Sequence, residues 1–321
     1  MYLFVQRFLL YFTRYVIKTY FPIAFDSQTP IADFLRQVVD KTAKTIADWQ
    51  LFGFAHGVMN TDNLSITGAT IDFGPYGFME RFNPLWINNH SDYQGRYVYQ
   101  NQPSIGLWNL SRLITVFLRL NGEKLTDAHL PEALTREGLT EILDSFGETF
   151  YHYYEQGLCQ KFGLPVSEAN CNFALAYLQI MQENKLDFTN SLRALVAIIA
   201  EPSAESNLYP HETQLLATLK QELAQQCSSD VLAKLDDWIT TYRSKLMPDA
   251  LSQVITNNPV YVLRNSMAQR AIEQAEGGDM REVDRLYRLL AEPYQVSPLA
   301  TANDTFPPHA DAAEICVSCS S

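Results

Sequence analysis

Residues 51–80 read LFGFAHGVMNTDNLSITGATIDFGPYGFME, and the fold is decided by how this stretch is read. His56, Asp62 and Asn63 precede Asp72, which opens an Asp-Phe-Gly triplet with Phe73 and Gly74. Asp62-Asn63 lies in a polar loop after an apolar run. Ser65-Ile66 and Thr70-Ile71 flank Thr67-Gly68-Ala69, a pattern that predicts a short hairpin. Such a hairpin returns Asp72 to the neighbourhood of Asn63. An Asn carbonyl oxygen and an Asp carboxylate converging there form a hard-oxygen site for Mg²⁺ or Mn²⁺, the ions that hold nucleotide phosphates. Asp62 stands beside them, placed to orient or deprotonate an attacking hydroxyl.

Upstream, Ile31, Phe34, Val38, Thr42, Ile46 and Trp49 recur at helical spacing, so a long helix beginning at Pro30, with Thr29 as its cap, leads into the loop. Gly53 and Gly57 bracket the turn that follows. Downstream, residues 73–102 are rich in Gly, Pro and aromatic residues and show no period. A connection of that length signals function or mobility. Arg96, its second arginine after Arg81, is a candidate for a phosphate or carboxylate contact or for a structural ion pair. Pro103 opens a helix through Leu107, Leu110, Ile114 and Phe117 that Asn121-Gly122 stops.

The spacing from His56 to Asn63 and on to Asp72-Phe73-Gly74 resembles the catalytic core of protein kinases, H-R-D-x-x-x-x-N followed by D-F-G. In that likeness Asn63 and Asp72 fall on the two metal-binding positions, and Asp72 also on the nucleotide. Val58 replaces the kinase's catalytic Asp, which leaves Asp62 as the nearby carboxylate able to act as base. HGVMNTDN (residues 56–63) is similar to the core of the selenoprotein O family, also called YdiU proteins, pseudokinase-fold enzymes that transfer AMP from ATP to protein hydroxyls. The resemblance continues through HSDYQGRYVYQNQPSIGLWNLSRL (90–113), DFTNSLRAL (187–195) and NPVYVLRNSMAQRAIEQAEGGD (258–279), and ends at CVSCSS (316–321), like the C-x-x-C-S-S tail in which some relatives carry selenocysteine.

The resemblance implies a mainly α fold: the C-lobe of a protein-kinase-like architecture with a short β-hairpin at its core, followed by a helical C-terminal region. Residues 1–130 form the C-lobe portion, 131–296 the helical region, and 297–321 a flexible tail. It implies protein adenylyltransferase chemistry, with Asp62 catalytic, Asn63 and Asp72 on Mg²⁺ or Mn²⁺, ATP as substrate, and Ser, Thr or Tyr hydroxyls of proteins as acceptors. No G-x-G-x-x-G or Walker A sequence occurs, and the residues before His56 read as helices where the family's β-rich nucleotide-clamping lobe is expected. The expectation is a truncated copy of a protein nucleotidyltransferase, with its own activity left open. Two alternatives stay open: a kinase-like phosphotransferase, and a non-catalytic binding remnant.

The remaining features narrow the function classes. The 321 residues carry a formal charge of −12, which argues against nonspecific nucleic-acid binding because neutralising phosphates takes a basic surface. The first twenty residues are apolar but interrupted by Arg7, Arg14 and Lys18, so they read as an amphipathic helix with Val5, Leu9, Phe12, Val16 and Tyr20 on its buried stripe, not as a span or leader. A cytoplasmic protein with no membrane partner is expected. Five cysteines form no zinc-like double pair. Cys316 and Cys319 form a C-x-x-C that is either a redox pair or an inert tail; in relatives the tail thiol is thought to pair with a cysteine of the activation segment, where this chain has Asn88 instead. Further helices are expected at 131–161, 167–184, 188–200, 211–226, 230–246, 259–276 and 280–290. Arg264, Asn265 and Arg270 form either a solvent face or a substrate-facing surface, the residues alone favouring the solvent face.

Overall fold

The computed structural model describes residues 2–120, 134–201, 208–226 and 229–306, together with 315 and 317. The chain divides into two compact units, one of residues 1–48, 58–73 and 101–153, the other of residues 49–57, 74–100 and 154–321. Helices dominate the described residues of both. Among those residues no helix is long and apolar enough to cross a membrane.

The first unit is built on α1 (Tyr2–Tyr20), α2 (Pro22–Phe25), α3 (Pro30–Phe52, to Asp48), α4 (Gln102–Leu120) and the N-terminal part of α5 (Arg136–Lys161). The predicted stripe of α3 is buried at Ile31, Phe34, Val38, Thr42 and Ile46. Phe34 packs edge-on against Phe21 at 4.9 Å and Phe117 at 6.2 Å. Gly106 of α4 leaves room for Ile46 of α3, since a Cβ there would come within 2.2 Å of Ile46 Cδ1. The buried face of α1 differs from the predicted stripe: Thr13, Val16 and Ile17 turn inward, whereas Phe12 and Tyr20 are exposed along with Phe8, Tyr11 and Tyr15. Aromatic residues occur all round this helix, so their spacing alone does not select a face.

The second unit contains β1 (Phe54–Ala55) paired antiparallel with β2 (Gly77–Phe78), in the register Phe54↔Phe78 and Ala55↔Gly77. Its helices are the end of α5, then α6 (Glu168–Glu183), α7 (Phe188–Arg193), α8 (Leu195–Ala200), α9 (Pro210–Gln226), α10 (Ser229–Lys245), α11 (Ala250–Asn257), α12 (Asn265–Glu276), α13 (Arg281–Ala291) and α14 (Ala302–Thr305). Trp238 stands at the centre of an aromatic stack, 4.5 Å from Tyr177, 4.8 Å from Tyr242 and 4.9 Å from Phe173. Burial of such surface is the main favourable term of folding.

Three expectations are corrected here. The helix predicted at 259–276 begins only at Asn265: Arg264 before it is extended (φ −73°, ψ 149°), and the N–H groups of Val260 and Tyr261 donate to the Pro293 carbonyl at 2.7 and 3.3 Å, tying that segment to residues beyond the helix. Arg264 does not face solvent: it is 2% exposed and lies 2.9 Å from Asp187, while Arg270 pairs with Asp304 at 3.0 Å. The tail predicted to be flexible from 297 is ordered through 306, where Asp304 is buried, closes a capping box with Thr301 and accepts from Arg285. The segment 73–102 likewise holds itself together in its second-unit part: Tyr99 N–H donates to Trp86 O at 2.9 Å, and Gln50 Nε2 donates to Tyr99 O at 2.7 Å.

Two buried charges generate predictions. Arg193, within α7, donates to Glu212 Oε1 through Nη2 at 2.6 Å and to the carbonyls of Ile255 and Asn258, with both partners of the ion pair almost fully buried. Removing one member of a buried pair strands the other, so Glu212→Ala should cost about 3–5 kcal/mol in urea unfolding. Lys161 is fully buried under the Phe52 ring and donates to Asn257 O at 2.7 Å; burial pulls its ammonium down to about 7. From about pH 7 to 10 the unfolded chain therefore holds a proton that the folded chain has lost, and stability from this group rises with pH. The difference in unfolding free energy between wild type and Lys161→Met should climb over that window and be flat below it.

Candidate metal and nucleotide site

His56 closes the run from the end of α3 into the loop. It is buried, 5.3 Å from the Trp49 ring and 6.4 Å from Phe54, as an anchoring aromatic would be. Gly57 follows at φ +82°, and a Cβ there would stand 2.4 Å from Pro75 O, so only glycine fits. Asn89 Nδ2 donates to the Gly57 carbonyl at 3.0 Å.

In the first unit, the loop from Val58 is held by side-chain amides. Asn109 of α4, itself buried, donates from Nδ2 to Met59 O at 2.9 Å and to Ile105 O at 3.0 Å. Asn63 donates from its backbone to Asn60 O at 3.0 Å and from Nδ2 to Val58 O at 3.2 Å. The second bond turns Oδ1, the atom a metal would need, to the opposite edge of the amide. Asp62, next to it, is exposed.

The hairpin predicted between Asn63 and Asp72 is present in reduced form. One antiparallel bridge joins Leu64 and Thr70, and Gly68 N–H closes the turn on Ser65 O at 3.1 Å. Gly68 has φ +76°, and Thr45 of α3 donates to its carbonyl at 2.7 Å, pinning the tip. Asn63 thus lies one residue before the bridge and Asp72 two after it. Asp72 is exposed and has φ +57°, one of two non-glycine residues among the described ones with positive φ. Few residues other than glycine adopt this region, Asp among those that enter it most readily, and non-glycine residues held there concentrate at functional sites. No Lys or Arg occurs from Leu51 to Glu80. Among the described residues no three of His, Cys, Asp or Glu gather to hold a metal, so the donors on offer are one amide oxygen and one or two carboxylates.

Sequence reasoning did not find the role of Asn109, Asn89 or Asn88 as loop clamps. Asn88 donates to Tyr76 O, accepts from Asn265 at 2.7 Å, and abuts Gly77, whose Cβ position is 2.5 Å from its Nδ2. The signal was the run Asn88-Asn89, two amides in an aromatic-rich stretch. Arg81 donates to Lys185 O at 2.9 Å, and Arg96 lies 5.5 Å over the Tyr97 ring. Cys316 and Cys319 lie outside the described residues; between them, Val317 accepts from His90 N–H at 2.9 Å. Cys159 and Cys171 are buried free thiols that burial pushes up, Cys171 to about 11, so both stay protonated.

The family described as protein adenylyltransferase SelO matches residues 2–291 of the chain. Among similar curated proteins, the protein nucleotidyltransferase YdiU of Klebsiella pneumoniae (strain 342) is 39% identical over 289 residues, which cover 87% of this chain and 53% of that protein. The protein of the same description from Aliivibrio salmonicida (strain LFI1238) is 36% identical over 283 residues, 87% of this chain and 52% of that protein. The chain spans about half the length of these relatives.

The turn at Gly57 offers a direct check on the loop's construction. Gly57→Ala should lower stability by about 1–3 kcal/mol, the cost of a strained backbone plus a clash with Pro75 O, as read by chemical denaturation.

Proposed function

Because the chain belongs to the SelO protein adenylyltransferase family, we propose that residues 56–73 are the metal- and nucleotide-handling part of a protein nucleotidyltransferase that moves AMP from ATP to a protein hydroxyl. The observation that carries the reading is Asp72: an exposed carboxylate at φ +57°, two residues past the bridge that follows Asn63.

The donor set fits Mg²⁺ or Mn²⁺. Such ions are commonly held by one or two protein carboxylates, with phosphate oxygens and water completing the shell. Asn63 Oδ1 and the Asp72 carboxylate would hold the ion, which when bound supplies the positive charge that screens the phosphates of ATP. That charge is needed, because a stretch with Asp62 and Asp72 and no Lys or Arg repels a polyphosphate. Asp62 takes the proton of the acceptor hydroxyl as its oxygen bonds to the α-phosphorus; the bond from that phosphorus to the β-phosphate breaks and pyrophosphate leaves. The acceptors are proteins bearing Ser, Thr or Tyr hydroxyls.

The test is a melting experiment with Mn²⁺ and ATP added to the purified chain, followed by labelled AMP transfer. A metal-dependent rise that Asp72→Ala abolishes is expected. Asp62→Asn should keep that rise but cut transfer by about 10²–10⁴-fold, the usual loss when a general base is removed. No rise in the wild-type chain would overturn the assignment of residues 56–73 as a self-sufficient docking site.

A further inference from the structure

Beside the loop that carries Asp62 and Asn63, the first unit opens a cavity of about 290 Å³, walled by α3, α4 and residues 61–66. Sites for small ligands run from about 300 Å³ upward, so this one holds a side chain or two rather than a large ligand. Leu64, Ile66, Leu110, Leu113 and Val116 make most of its surface apolar. Thr61, Arg112 and Val116 of the lining are exposed, so the cavity is open to solvent. An apolar side chain entering from outside takes that wall out of water, which is favourable for both partners.

Two polar groups narrow the choice of occupant. Arg112 is the charged side chain of the lining; it lies 5.2 Å over the Trp108 ring and pairs with no carboxylate among the described residues. In a protein of net charge −12, such a guanidinium at an apolar cavity favours an occupant that brings a carboxylate. Asn109, also in the lining, donates through Nδ2 to Met59 O and Ile105 O, and its buried Oδ1 has no hydrogen-bond partner. Buried acceptors are nearly always satisfied, so an occupant with an N–H suits this wall. A peptide carries all three groups, apolar side chain, carboxylate and N–H, whereas a fatty acid anion has no N–H. Thr61 and Leu64 of the wall directly flank Asp62-Asn63, so a peptide anchored here has its adjoining residues beside Asp62.

We propose that this cavity is the anchor for the acceptor protein, an inference that rests on the reading of Asp62 as the base that meets the acceptor hydroxyl. An apolar side chain of the acceptor fills the space lined by Leu64, Leu113 and Val116, and a carboxylate close to it in sequence meets Arg112. The serine, threonine or tyrosine a few residues away then reaches Asp62. The substrate class is a hydroxyl residue set among apolar and acidic neighbours.

The experiment measures binding of fluorescein-labelled peptides to the intact chain by fluorescence anisotropy, without metal or ATP, so that its result does not depend on catalysis. The probe is a short peptide with a serine flanked by leucine and glutamate. Saturable binding is expected, about tenfold weaker when alanine replaces the leucine or when Val116→Trp fills the cavity, the usual effect of losing one buried apolar side chain. Arg112→Glu should weaken it as well, and a peptide with lysine in place of the glutamate should bind that variant better than it binds wild type. Val116 and Arg112 are exposed, so both variants should melt with the wild type. Absence of saturable binding, equal binding by wild type and both variants, or displacement of the peptide by ATP alone would overturn the proposal, the last by assigning the cavity to the nucleotide. Peptide binding that follows the variants while no AMP is transferred keeps the anchor and counts against the transfer chemistry assigned to Asp62.

Discussion

The second unit depends on a single buried carboxylate. Asp187 caps α7 through Oδ1, contacts the guanidinium of Arg264 through Oδ2, and sits where the chain pairs with Arg81. Its position makes one residue answer to three segments, the stretch 80–82, helix α7 and the approach to α12. Burying a carboxylate is costly, and partial pairing with Arg264 offsets only part of the penalty. Arg264 in turn donates to Thr305 O at 3.0 Å, the carbonyl that also receives Asn190. The order found at 301–306 follows from that convergence: a short helix with a capping box persists because its last carbonyl is the acceptor for two buried side chains.

How legible was this in the sequence? The long helix α3 was readable because all six of its stripe residues are buried where a 3.6-residue period puts them, and the period is local information. The turn around Gly68 was readable for the same reason, since glycine punctuates where φ must be positive. Asp72 was readable as a chemical group but not as a strained one; nothing in an Asp-Phe-Gly triplet announces φ +57°. The burial of Arg264 was hidden because its partner Asp187 lies far back in the chain, and an arginine beside an apolar run looks the same whether it faces water or a carboxylate. The late start of α12 was hidden likewise, as the Pro293 carbonyl that holds Val260 and Tyr261 comes from beyond the helix itself.

Asparagine side chains hold the candidate loop while charges hold the helical body, and the division has an electrostatic logic. Asn63 and Asn109 fix the carbonyls of Val58 and Met59, and Asn89 and Asn88 fix those of Gly57 and Tyr76. A lysine or arginine could donate to the Val58 and Met59 carbonyls, but it would add a fixed positive charge to a loop whose own charged residues from 58 to 73 are Asp62 and Asp72. Neutral amides immobilise the backbone and leave the local negative potential intact for an ion to neutralise. Away from the loop the opposite choice is made: Arg193 with Glu212, Arg264 with Asp187, and Arg285 with Asp304 and Glu282 are ion pairs, in which each charge is met by a partner of its own. The exposed carboxylates of the loop have no such fixed cationic neighbour in sequence from Leu51 to Glu80, and that asymmetry is what makes residues 56–73, rather than the charged body, the place to look for metal chemistry.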